Sequence, residues 1–188
     1  MALERIFREL PDSIRKLRDS MLALQLTIRE DFPLHGSVVL VDQFGDAVDD
    51  SLGWLEDSLT AAIEVQECAK RPVDIDRARR ALAICQEQFH RMVRRFDSDL
   101  VSYEKLKDLT GFGRSRRGEW LGWVKSVRKG LDECRQPMEE VSKALLACWQ
   151  EIAEHAHVSS VSVQATNIGQ QIAAPELISR TLASEGIT

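Results

Sequence analysis

Apolar residues recur every three or four positions along most of this chain, the period of helices that bury one face. Following a short helical lead-in over Ala2 to Glu9, Pro11 suits a first helical turn, and behind it runs the seam Ile14, Leu17, Met21, Leu24 and Ile28. The stretch DFPLHG ends that helix. A second starts around Val38 to Asp42, carries Phe44, Val48, Leu52, Leu55, Leu59 and Ala62, and ends by Pro72. A third begins near Asp74 with Ile75, Ala78, Leu82, Cys85, Phe89, Met92 and Phe96, and Leu100, Tyr103 and Leu106 continue the face toward Gly111. The fourth has the most regular pattern: Trp120, Val124, Val127, Leu131, Cys134, Met138, Val141, Leu145, Cys148 and Ile152. Pro137 lies inside this run without breaking its phase, which predicts a kink rather than a stop.

Four long amphipathic helices joined by short loops bury their seams only against one another. The expected fold is all-α, an antiparallel up-down-up-down four-helix bundle over residues 1–157 with coiled-coil-like packing. In that topology Cys68 and Cys148 fall at the same end of the bundle.

The period changes after His157. In VSSVSVQATNIGQQI, residues 158 to 172, Val161, Val163 and Ala165 alternate with Ser160, Ser162, Gln164 and Thr166, a strand period. Residues 158–188 are therefore expected to form an extended, strand-like tail. A lone strand leaves its backbone groups unpaired, so this tail is expected to dock on the sheet edge of a protein partner or on its own copies. The docking residues are Val161, Val163, Gln164, Asn167, Ile168, Gly169 and Gln170.

Composition narrows the function classes. The chain has 188 residues, 44% hydrophobic and 29% charged, enough for one domain with a substantial core. Thirty acidic against twenty-five basic residues give a formal charge of −5, which disfavours a general nucleic-acid binder. MALERIFREL lacks the apolar run of a signal peptide and no segment approaches a membrane span, so a cytoplasmic location is expected. The four cysteines fall on or beside apolar faces without CxxC spacing and are read as buried, reduced thiols.

Candidate chemistry is sparse. Glu87 with His90 and Glu154 with His157 have the Glu-x-x-His spacing found in ferritin-like di-iron bundles. In an antiparallel bundle, however, they sit at heights roughly 35 Å apart and cannot share a metal. Cys148, Glu151 and His155 share a face but lack a further ligand, and no nucleophile–base set is assignable. The segment GFGRSRRG, ahead of the fourth helix, offers Arg114, Arg116 and Arg117 to an anion or an acidic partner, with Ser115 as N-cap. Of the four tryptophans, Trp120 is on the fourth seam, with Trp123 and Trp149 beside it.

A helical domain followed by a short uncharged segment bearing Gln and Asn resembles, in layout, the prokaryotic and fungal amyloid-signalling effectors. The RHIM-type signature of apolar, Gln, apolar and Gly in succession is not kept, because Thr166 follows Val163-Gln164-Ala165. The resemblance implies a membrane-attacking helical domain switched on by tail assembly, with the membrane as target. The expectation from the residues themselves is a non-enzymatic interaction or adaptor protein without metal or cofactor. A bundle-interior site for a small ligand or metal is the further alternative.

Overall fold

The computed structural model describes residues 2–29, 32, 39–70, 73–107 and 114–173. The described residues hold four helices and no strand: α1 (Ala2–Arg29), α2 (Val39–Cys68), α3 (Ile75–Lys107) and α4 (Arg114–Ala173). Among the described side chains, the seams read from the sequence lie on the buried faces of their helices, with Ile75 and Met138 partly buried at the margin. Ile14, Leu17, Met21 and Leu24 of α1 are wholly enclosed, as are Leu55 of α2, Cys85 of α3 and Leu131 of α4.

Cross-helix contacts set the topology. Arg29 pairs with Asp46 and Asp49, and Arg18 with Glu56, so α1 and α2 are antiparallel. Arg77 meets Glu64, and the Ser58 hydroxyl lies 3.4 Å from the Cys85 carbonyl, which makes α2 and α3 antiparallel. The Tyr103 hydroxyl donates to the Val124 carbonyl at 3.2 Å, and Trp149 Nε1 donates to Gln86 Oε1 at 2.6 Å, the same relation for α3 and α4. Lys16 pairs with Glu140 across α1 and α4. Each helix thus touches its two sequence neighbours around a square, α4 closing on α1, and no diagonal pair is in contact among the described residues.

The extensive faces are those of α2 with α3 and α1 with α4. Small buried residues let α2 and α3 approach closely: Ala47, Ser51, Ser58 and Ala61 on one side, Ala78 and Ala81 on the other. Ser58 spends its hydrogen on a backbone carbonyl, reaching Trp54 O at 3.0 Å as well as Cys85 O. The α2–α3 connection is closed by Asp74, whose Oδ1 accepts from the Arg77 amide at 2.9 Å, an N-cap for α3.

Cys68 and Cys148 do lie at one end. The Cys148 thiol points at the Ile6 carbonyl, 3.8 Å away, and the α1–α2 pairs place Ile6 level with about residue 68.

One expectation about a helix end is corrected. α1 does not begin after Pro11 but runs unbroken from Ala2, with Pro11 inside it. Leu3, Phe7 and Leu10 are buried in phase with Ile14, so core contacts outweigh the one hydrogen bond that proline removes. α4 is 60 residues long and runs as helix to Ala173, which covers the first part of the extended tail expected over 158–188. Helix growth from an existing helix gives each added residue a backbone hydrogen bond, whereas an isolated strand gains none. The side chains of 157–173, and residues 174–188 altogether, lie outside the described residues.

Candidate functional site

The side chains with catalytic or metal-binding potential do not converge. Glu87 is engaged by Arg91 at 2.6 Å, one turn along the same helix, on the outer face of α3. Glu154 is exposed near the far end of α4. His155 Nδ1 is 3.1 Å from the Glu151 carbonyl and 3.5 Å from its carboxylate, a local pair at i and i+4. No group of three or more His, Cys, Asp or Glu able to hold a metal occurs among the described residues.

The four cysteines are free and buried. Burial pushes the Cys85, Cys134 and Cys148 thiols up to about 12, and it raises Cys68 as well. A thiol so far from ionisation is neither a nucleophile nor a ready metal ligand near neutral pH.

Two surface depressions among the described residues are each built from a single helix. One is lined by Ala83, Gln86, Glu87, His90, Arg91 and Arg94 of α3, another by Lys125, Arg128, Lys129, Asp132, Glu133 and Gln136 of α4. Both are dominated by charged side chains that already pair along their own helix, as Arg91 does with Glu87 and Arg128 with Asp132. Neither has the apolar, enclosing walls of a ligand pocket.

The arginine segment is placed differently from expectation. α4 starts at Arg114, so Arg114, Ser115, Arg116 and Arg117 occupy its first turn, and Ser115 is a helical residue rather than the cap. Arg117 is exposed, while the side chains of Arg114 and Arg116 lie outside the described residues. No acidic residue stands in that turn to offset the three cations against the helix dipole.

The tryptophans belong to the core and its rim. Trp120 and Trp123 are buried, with ring centroids 5.1 Å apart, and Phe32 stands edge-on to both at 6.3 and 5.2 Å. Trp54 and Trp149 are half-buried against the core.

One geometric feature separates α4 from the other helices. With Trp149 bonded to Gln86, the first residue of α3 stands level with about residue 160 of α4. α4 continues to Ala173, about 13 residues or about 20 Å farther. Every docking residue anticipated from the sequence, Val161, Val163, Gln164, Asn167, Ile168, Gly169 and Gln170, belongs to this continuation. The sequence carried a signal that the strand reading passed over: Val158, Val161, Ala165, Ile168 and Ile172 are spaced three, four, three and four.

No helix among the described residues is long and apolar enough to cross a membrane. No family model, curated protein or solved structure matches the chain.

Proposed function

We propose that this chain is a non-enzymatic interaction protein, a four-helix scaffold whose C-terminal extension of α4 docks on a protein partner or on a sister subunit. The observation that carries this reading is the length of α4, which runs about 20 Å past the level of the start of α3. A helix that serves only to complete a bundle gains nothing from such an extension. The bundle itself supports the same reading, because its interior is filled by apolar side chains and its described ion pairs lie on outer faces, along single helices or between neighbouring ones. With 158–173 helical, the docking element is a helix, and recognition takes the form of an apolar stripe laid against another surface.

The test is affinity capture with the full chain beside a chain ended after His157, each first shown to be folded by circular dichroism. The full chain should retain a partner that the shortened chain loses. Equal capture by both, or by neither, would move the search for function to the bundle surface.

A further inference from the structure

We propose that residues 158–172 of α4 pair with the same residues of a second copy of this chain, forming a short helix–helix seam beyond the bundle. The proposal rests on the docking reading above and names its occupant.

The first support is a change of phase. Continuing the spacing of the core seam past Ile152 leads to His155, Ser159, Ser162, Thr166 and Gly169, all polar or small. The stripe that feeds the bundle therefore ends. One position earlier in each turn, Val158, Val161, Ala165, Ile168 and Ile172 begin a new three-four repeat, displaced by about 100° around the helix axis. This is the a/d repeat of a coiled coil carried over two heptads, out of phase with the stripe that α4 turns to its own bundle.

The second support is that this stretch is a poor helix in isolation. Its Val, Ser, Thr, Asn and Gly residues each form helix less readily than alanine. From Val158 to Pro175 there is no Asp, Glu, Lys or Arg, so no ion pairs along the helix offset that cost. A helix of this composition is held by the bundle helix it grows from and by burial of its stripe against another surface.

The third support selects the occupant. The e and g positions flanking a seam meet across it, and there they repel or attract a partner according to their charges. Here the flanking positions are Ser162, Gln164, Gly169 and Gln171, all uncharged in a chain that is 29% charged. A charged partner finds nothing to complement, whereas a second copy meets no repulsion. Ala165 and Gly169 leave room for two backbones to approach.

Sedimentation velocity over a concentration series tests the proposal on three chains: the full chain, the double variant Val161→Asp/Ile168→Asp, and the chain ended after His157. The full chain should shift with concentration toward the mass of two chains, and both altered chains should stay at the mass of one with unchanged bundle melting. A full chain that stays single up to its solubility limit overturns the proposal, and so does a two-chain mass that persists in the double variant. Fibres with cross-β diffraction from the full chain would overturn it in favour of strand assembly. If the full chain is single but still captures a different protein that the shortened chain loses, self-pairing fails and the docking reading stands.

Discussion

Trp123 on α4 donates its indole N–H to the carbonyl of Thr27 on α1, at 2.9 Å. α1 is helical to Arg29, so this carbonyl belongs to its last turn, where helix carbonyls call for partners from outside the helix. A side chain from the neighbouring helix thus caps α1. The same ring packs on Trp120 and Phe32, which ties the hydrogen bond to the apolar cluster at that end of the bundle.

Replacing Trp123 with Phe keeps most of the ring but leaves the Thr27 carbonyl without its donor. The loss should be about 1–2 kcal/mol, plus a share for the smaller ring. It is read as a lower urea midpoint at unchanged slope. An unchanged midpoint would mean that water satisfies the carbonyl equally well and that the cap contributes nothing.

Two glycines of α4 should respond in opposite ways to alanine. Gly122 is exposed, with nothing within 4 Å of a β-carbon built there, so Gly122→Ala should stabilise by about 0.5–1 kcal/mol through helix propensity alone. At Gly130 the same atom would stand 3.0 Å from Leu24 Cδ1, and Leu24 is fully buried. Pushing Leu24 aside disturbs the α1–α4 face, so Gly130→Ala should be at least about 1 kcal/mol less favourable than Gly122→Ala. Thermal midpoints of the two variants, measured side by side, decide it.

Much of the bundle was legible because a buried face imposes its period on the sequence, and the reading failed where a local signal outranked that period. Pro11 was read as a helix start, although Leu3, Phe7 and Leu10 keep the spacing of Ile14 and Leu17 across it. The unbroken phase that argued for continuity at Pro137 argued for continuity at Pro11 too. Beyond His157, Val161, Val163 and Ala165 fit an alternating period while Val161, Ala165 and Ile168 fit a helical one. Over so few residues, periodicity alone cannot choose between them. Growth from a preformed helix can, because it supplies backbone partners that a lone strand lacks. The Trp123–Thr27 bond and the Ser58 bridge between α2 and α3 had no pattern to betray them, since each depends on which helices become neighbours.

The cysteines give a pH dependence with a defined sign. In the fold, burial raises Cys85, Cys134 and Cys148 from the ordinary value of 9.0 to about 12, so the folded chain holds these protons more tightly than the unfolded one. Their contribution to stability is complete below pH 9.0 and is lost as the pH rises toward about 12. Urea midpoints should therefore decline above pH 9. At neutral pH a thiol reagent such as dithionitrobenzoate should label the three slowly in the folded chain and rapidly in urea. Rapid labelling of all three in the folded chain would contradict their enclosure.

Ending the chain after His157 should leave the bundle as stable as before while removing helix. Ile152 is the last side chain of α4 among those described to be fully enclosed, and no described residue beyond it belongs to the core. Urea unfolding should agree with the full chain within about 0.5 kcal/mol, the range of changes that touch no packed feature. The helical signal in circular dichroism, recorded at high protein concentration, should instead fall by about a tenth, the share that residues 158–173 hold in α1 to α4. An extended segment would leave the number of helical residues unchanged on deletion, and a segment packed into the core would lower the midpoint. Only a helix standing clear of the bundle loses helical signal without losing stability.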